Sequence, residues 1–311
     1  MKNLGKWDNG KKLLNTSKMS LINTLRGTGV ALVTPFKENL DVDYIALEKV
    51  LDFVIEGGVE YVITLGTTGE TPTLSREEKL DIVKFTFDKV KERVPIIVGI
   101  GGNNTKEVLK DLDYYPLDKA IAILSSSPSY NKPSQEGIYL HYKAIAEASP
   151  KPVVLYNVPG RTGSNITAAT TLKLANEVSN IQGIKEASGN MIQCMHIIRD
   201  RPNDFLFVSG DDHLCLPLLA CGSEGVISVA ANCFPNHFSE MVRCGLKNDY
   251  EKARELHYEC LEGNDLLFAE NNPAGVKAFL FELGLIQNIV RLPVVPLSKE
   301  LHEKVKRFLC G

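Results

Sequence analysis

The first 193 residues contain no cysteine, and the seven in the remainder (Cys194, Cys215, Cys221, Cys233, Cys244, Cys260 and Cys310) include no CxxC pair. An odd number, spread over one part of a 311-residue chain, leaves no disulfide framework and points to reduced thiols in a cytoplasm-like compartment, most of them core filler. No run approaches ~18 apolar residues, so nothing in the sequence reads as a membrane-spanning helix. Neither sign of charge dominates: 35 basic against 38 acidic residues leave a net charge of -3. Such a balance builds no field for nucleic acid or an anionic lipid surface.

Chemical motifs are missing too. GxxxxGK[ST] and GxSxG are absent, and Gly99-Ile100-Gly101-Gly102-Asn103-Asn104 starts like GxGxxG but ends on Asn104. The six histidines never fall as HxxxH or HExxH, which argues against a dedicated metal site. Asp211-Asp212-His213 is better read as a charged cap at a helix start than as a divalent-ion site.

What is present is the composition of an ordinary soluble globular protein, 44% apolar and 23% charged. Met1 to Ser20 carries lysines at 2, 6, 11, 12 and 18 without the apolar stretch of a secretory signal, so residues 1–24 are expected to be a polar N-terminal extension. Met19 is an alternative start. Beyond it, short β-branched apolar runs alternate with amphipathic segments of helical period. The runs are Gly29–Thr34, Tyr61–Leu65, Pro95–Ile100, Ala120–Leu124, Pro152–Tyr156, Ile181–Lys185, Phe205–Ser209 and Gly225–Val229. Between them lie stretches such as Tyr44–Glu56, Arg76–Arg93, Gln135–Ala148 and Ala168–Val178, preceded by the capping residues Asp43, Ser75, Ser134 and Thr167.

Continuously apolar strands are buried on both faces, as parallel strands between helices are. Eight such units predict an α/β protein with a closed (β/α)8 barrel; a doubly wound open sheet gives the same alternation, usually with fewer strands. After Val229 the pattern is purely helical, over Asp249–Phe268, Ala274–Leu283 and Ser298–Leu309. The expectation is a barrel over 25–247 and a helical C-terminal appendage over 248–311.

Barrel chemistry sits at the C-terminal ends of the strands. There the sequence offers Gly66-Thr67-Thr68-Gly69-Glu70, Ser127-Pro128-Ser129-Tyr130-Asn131, Tyr156-Asn157-Val158-Pro159 with Arg161, Lys185-Glu186-Ala187-Ser188-Gly189, and Gly210-Asp211-Asp212. Lys185, ending an apolar strand with Ile181 and Gly183 on its face, is expected to point its amine into the barrel mouth. Burial disfavours the ammonium form and leaves an amine able to attack a carbonyl. The bland alternative is a lysine that reaches solvent or pairs with Glu186. Tyr156 ends the neighbouring strand, within proton-shuttling reach of Lys185, or simply packs its ring. Thr67 and Thr68 either face a ligand or form a plain glycine-bounded turn, and Arg161 either clamps a carboxylate or is solvated.

Together GTTGE at 66–70, YNVPGRTG at 156–163, GIKEASG at 183–189, SGDD at 209–212 and GVISVAAN at 225–232 resemble the dihydrodipicolinate synthase family, from about Gly27 to Leu309. The resemblance implies a pyruvate-dependent, aldol-type lyase of lysine and diaminopimelate biosynthesis that makes 4-hydroxy-tetrahydrodipicolinate without a cofactor. Lys185 would form the Schiff base with pyruvate, and the enamine would add to L-aspartate 4-semialdehyde. Tyr156 would be the proton donor and acceptor, with Thr67 and Tyr130 as its relay and Tyr130 supplied by the adjoining subunit. Thr68 and the Ile227 carbonyl would contact pyruvate, and Arg161 would receive the semialdehyde carboxylate. A homotetramer built as a dimer of dimers is also implied.

Lyases for N-acetylneuraminate or 2-keto-3-deoxy sugar acids share the lysine and tyrosine. They tend to carry serine at the first threonine of GTTGE and lack an arginine after YNVP, so Thr67 and Arg161 favour the synthase. A silent, metabolite-sensing barrel is the alternative from another class, and the intact set of Lys185, Tyr156, Thr67 and Tyr130 speaks against it. Lysine-inhibited members often show histidines shortly after GTTGE and a second tyrosine before Tyr130. Here Arg76, Lys79 and Ser129 stand in those places, which implies weak or absent lysine feedback.

Overall fold

The computed structural model describes residues 21–311. Eight parallel strands close on themselves in sequence order: β1 (Gly27–Ala31), β2 (Tyr61–Thr64), β3 (Ile96–Gly99), β4 (Ala122–Ser126), β5 (Val153–Asn157), β6 (Ile181–Glu186), β7 (Leu206–Ser209) and β8 (Gly225–Ser228). The helices are α1 (Leu21–Leu25), α2 (Tyr44–Glu56), α3 (Arg76–Val90), α4 (Thr105–Tyr114), α5 (Gln135–Ala148), α6 (Pro159–Thr162), α7 (Ala168–Glu177), α8 (Met191–Asp200), α9 (Cys215–Ala220), α10 (Pro235–Leu246), α11 (Tyr250–Phe268), α12 (Ala274–Glu282) and α13 (Lys299–Cys310). The expected (β/α)8 barrel with C-terminal helices is therefore the fold.

The caps read from the sequence start the helices as expected. Asp43, Ser134 and Thr167 each accept a backbone N–H three residues on. Ser75 forms a full capping box with Glu78. Each such cap contributes ~1 kcal/mol to where a helix begins.

Two strands lie elsewhere than their apolar runs. Val33 and Thr34 are buried outside the sheet, and Leu32 lies past the end of β1 with its N–H still donating to the Ile63 carbonyl, while β1 begins at Gly27, opposite Gly225 of β8. Apolarity there reports burial in a loop, not a ladder. The fourth strand extends past Leu124 through Ser125 and Ser126, which pair with Leu155 and Tyr156. These serines are polar yet sit in the ladder, so an apolar-run criterion stops short of them.

Inward and outward side chains alternate into two apolar layers. The inner layer includes Ala31, Ile63, Leu124, Tyr156, Val208 and Ile227, and the outer one contains Val30, Val62, Ile123, Leu155, Ile184 and Phe207 together with helix residues. Leu21 and Leu25 of α1 join the inner layer just ahead of β1. The end of the presumed polar extension is thus a short helix whose i, i+4 leucines are buried; residues 1–20 lie outside the described residues. Leu256 of α11, Phe279 of α12 and Val305 of α13 belong to the same outer cluster as the barrel helices. The C-terminal helices share that core.

All seven cysteines are free; Cys194, Cys215, Cys233, Cys244 and Cys260 are buried, and burial pushes the Cys215 and Cys233 thiols up. They pack as apolar side chains. Among the described residues no helix is long and apolar enough to cross a membrane.

Candidate active site

Lys185 pairs with Tyr156 of β5 on one side and Val208 of β7 on the other. Both neighbours belong to the inner layer, so Lys185 points into the barrel. Its side chain is buried, with the amine 4.5 Å from the centre of the Tyr156 ring. Ile181 does not share this face. The β5–β6 register steps from Val153–Ile181 to Val154–Gly183, and this irregularity leaves Ile181 in the outer layer while Gly183 keeps the inward alternation.

Pairing of Lys185 with Glu186 does not occur. Glu186 faces the other way and accepts from Asn157 Nδ2 at 2.9 and 3.2 Å, Gln193 Nε2 at 3.1 Å and the Ser188 N–H at 2.7 Å. Among the described residues no carboxylate pairs with the Lys185 amine. Gly210, just after the next strand, makes room for it: a Cβ there would lie 2.8 Å from Lys185 Cε. The backbone must be bare at that point for the amine to keep its path.

A cavity of about 290 Å³ opens at these strand ends, and Lys185, Tyr156, Thr67, Thr68 and Arg161 all line it. A second cavity, of about 330 Å³, shares Thr67, Tyr156 and Arg161 with it and runs on toward Lys79, Asn103 and Ser129. The threonine loop is more than a plain turn. It consists of two short 3-10 turns, Thr67–Gly69 and Thr71–Thr73, joined by Glu70 in the left-handed region at φ 54°. Thr34 Oγ1 donates to the Gly69 carbonyl at 2.8 Å, and Gly99 packs so closely that a Cβ would lie 2.1 Å from the Leu65 oxygen. That contact, not phosphate binding, accounts for the first glycine of Gly99-Ile100-Gly101.

Arg161 lies exposed on α6, with a guanidinium nitrogen 3.5 Å from the Asn272 carbonyl. Two expected site residues stand apart. Ile227 is buried in the inner layer and does not line the cavity, whereas Val229 of the same strand end does. Tyr130 is 91% exposed, lines neither cavity, and is held at φ 70° with its N–H donating to the Thr162 carbonyl at 3.0 Å. Asp211 Oδ1 accepts from the His213 and Leu214 N–H groups, as a cap does. Asp212 turns inward and accepts from the Val229 and Ala230 N–H groups at 3.0 Å each, and burial raises its carboxyl above the usual range.

Four further residues reach the site from the C-terminal part of the chain or act on it, and sequence reading gave them no role. Asn272 Nδ2 donates to Thr68 Oγ1 at 3.1 Å. Lys277 of α12 pairs with Glu70 at 2.5 Å, and the Arg291 N–H donates to the other Glu70 oxygen at 3.0 Å. About 200 residues separate these partners, so no local spacing links them. The one signal was a lysine within the apolar run Ala274–Leu283.

A buried lysine beside a tyrosine at the mouth of a (β/α)8 barrel, with an arginine at the rim, is an arrangement suited to the carbon–carbon lyases that work through a lysine imine. The chain belongs to the Dihydrodipicolinate synthetase family, a family of lyases, whose profile matches residues 24–310. It is 50% identical over 285 residues to the 4-hydroxy-tetrahydrodipicolinate synthase of Parabacteroides distasonis, covering 92% of this chain and 96% of that one. The crystal structure of dihydrodipicolinate synthase from Aquifex aeolicus superposes with a TM-score of 0.89 at 38% identity, over 92% of this chain and 97% of the other. The chloride-inhibited dihydrodipicolinate synthase from Acinetobacter baumannii, solved with pyruvate, gives 0.89 at 40% identity, over 92% and 98%.

Proposed function

We propose that this chain is a 4-hydroxy-tetrahydrodipicolinate synthase that condenses pyruvate with L-aspartate 4-semialdehyde through a Schiff base on Lys185. The observation that carries the reading is the buried, carboxylate-free Lys185 amine beside Tyr156 in a cavity sized for two small substrates. The unprotonated amine attacks C2 of pyruvate, and loss of water from the adduct leaves an iminium. Its cationic nitrogen is an electron sink, so a C3 proton departs and an enamine forms. C3 then attacks the aldehyde carbon of the semialdehyde, making the new carbon–carbon bond. The semialdehyde amine closes on C2 and displaces Lys185, which leaves free.

Tyr156 moves the protons, because its phenol shares the amine's face of the barrel. Thr67 lies in the same cavity and relays them; Thr68, in the same lining, receives the pyruvate carboxylate together with the Ile227 carbonyl. Arg161, on the rim, takes the semialdehyde carboxylate.

Tyr130 completes the relay from an adjoining subunit, within a homotetramer built as a dimer of dimers. Its exposure, positive φ and absence from the lining of both cavities of its own chain favour that reading. Turnover of pyruvate with aspartate semialdehyde, against cleavage of N-acetylneuraminate or 2-keto-3-deoxygluconate, tests the substrate assignment. Preferred cleavage of either sugar acid would overturn it. Mixed oligomers of Lys185→Ala and Tyr130→Phe subunits should recover activity that neither variant has alone; no recovery would place Tyr130 outside a partner's site.

A further inference from the structure

We propose that Lys277 and Asn272 are positioning residues for the condensation: from the C-terminal segment they hold the loop that carries Thr67 and Thr68 in place beside Lys185. The inference rests on the roles given above to those two threonines.

Lys277 is fully buried on α12 among Val276, Ala278, Phe279 and Leu280, all equally buried. Exchanging both members of such a pair for apolar side chains of similar volume costs little, so a buried ion pair is weak evidence for stability in itself. The pair supplies orientation instead. Lys277 Nζ reaches Glu70 Oε1 at 2.5 Å and donates to the Ile289 carbonyl at 2.9 Å, and it sits 4.1 Å from the centre of the Phe36 ring. The Arg291 guanidinium lies 4.3 Å from the same ring, and the Arg291 N–H takes Glu70 Oε2. Both carboxylate oxygens of Glu70 are thereby fixed from outside the loop.

Glu70 needs this hold, since its left-handed backbone is unfavourable for a side-chain-bearing residue and persists only where the surroundings determine it. It joins the two 3-10 turns, so its conformation sets where Thr67 and Thr68 lie. Asn272 adds a second point of attachment, directly on the Thr68 hydroxyl. Asn272 and Thr68 both line the cavity of Lys185.

The test uses the full-length protein with Asn272→Ala, Lys277→Met, Glu70→Gln and Glu70→Ala. Melting temperature, borohydride trapping of the pyruvate adduct, and separate kcat and KM values are measured for each. Asn272→Ala, which removes the hydrogen bond to Thr68, should raise the pyruvate KM about 10-fold with kcat within about 3-fold, the scale of one lost hydrogen bond. Lys277→Met, which removes one of the two holds on the Glu70 carboxylate, should also lower kcat at saturating pyruvate by about 10-fold. Glu70→Gln keeps an oxygen for the Arg291 N–H and should retain more activity than Glu70→Ala. Should Lys277→Met fail to fold, Asn272→Ala still decides the matter. Variants that melt earlier yet keep wild-type kcat and KM would overturn the proposal. A wild-type protein that forms no pyruvate adduct would instead overturn the functional reading beneath it.

Discussion

Lys185 and Tyr156 face each other directly across β5 and β6, with the lysine amine 4.5 Å from the centre of the tyrosine ring. The relationship is a consequence of parallel register: residues paired in a ladder share a face, and this face is the inside of the barrel. Phenol and amine therefore meet the same small volume, where a proton can pass between the phenol and the carbon next to an imine.

Replacing Tyr156 with phenylalanine keeps the ring and its packing and removes only the hydroxyl. A positioned proton-transfer group contributes roughly 10²–10⁴-fold, so kcat should fall by about 10² while the melting temperature holds. Borohydride should still trap pyruvate on Lys185, more slowly. Steady-state kinetics with kcat unchanged would remove the role given to Tyr156.

Arg161→Ala should separate the two substrates. The guanidinium stands at the exposed rim, so the loss is set near the low end for a charged hydrogen bond. About a 10-fold fall in kcat/KM for the semialdehyde is expected, with pyruvate adduct formation retained. Equal loss of both would contradict the assignment.

Lysine should not act as a strong feedback inhibitor. Arg76 pairs with Asp111 at 3.0 Å and stacks on Tyr114, and Lys79 lines the adjoining cavity. An arriving ammonium meets cations there and a carboxylate already neutralised. Activity measured across micromolar lysine should stay flat; a saturating inhibition curve in that range would refute the expectation.

Stability should fall as pH drops below about 6.5. Burial holds the His141 and His257 imidazoles below their ordinary value of 6.5. The unfolded chain therefore takes up protons in this window before the native state does, and stability rises with pH through it. Melting temperature should decline between pH 7 and pH 5, and less steeply in His141→Gln. A flat profile would show that neither histidine is linked to folding.

Much of this was legible because the governing signals are local. Continuous apolar strands and Ser, Thr and Asp caps gave the barrel, and strand-end positions picked out Lys185, Tyr156 and Thr67. What escaped is non-local or breaks a periodicity. The irregularity between Val153 and Val154 moved Ile181 off the lysine's face, Ser125 and Ser126 extended a strand that their polarity hid, and Ile227 is not among the residues that line the cavity. The hold on Glu70 comes from Lys277 and Arg291, whose link to the loop exists only once α12 and the segment after it fold back over the barrel mouth.

The most direct test of the central claim is borohydride reduction in the presence of pyruvate, followed by peptide mass mapping. The predicted result is one reduced pyruvate adduct per chain, on the peptide containing Lys185 and absent from Lys185→Ala. An unmodified Lys185, or an adduct on any other lysine, would contradict the account.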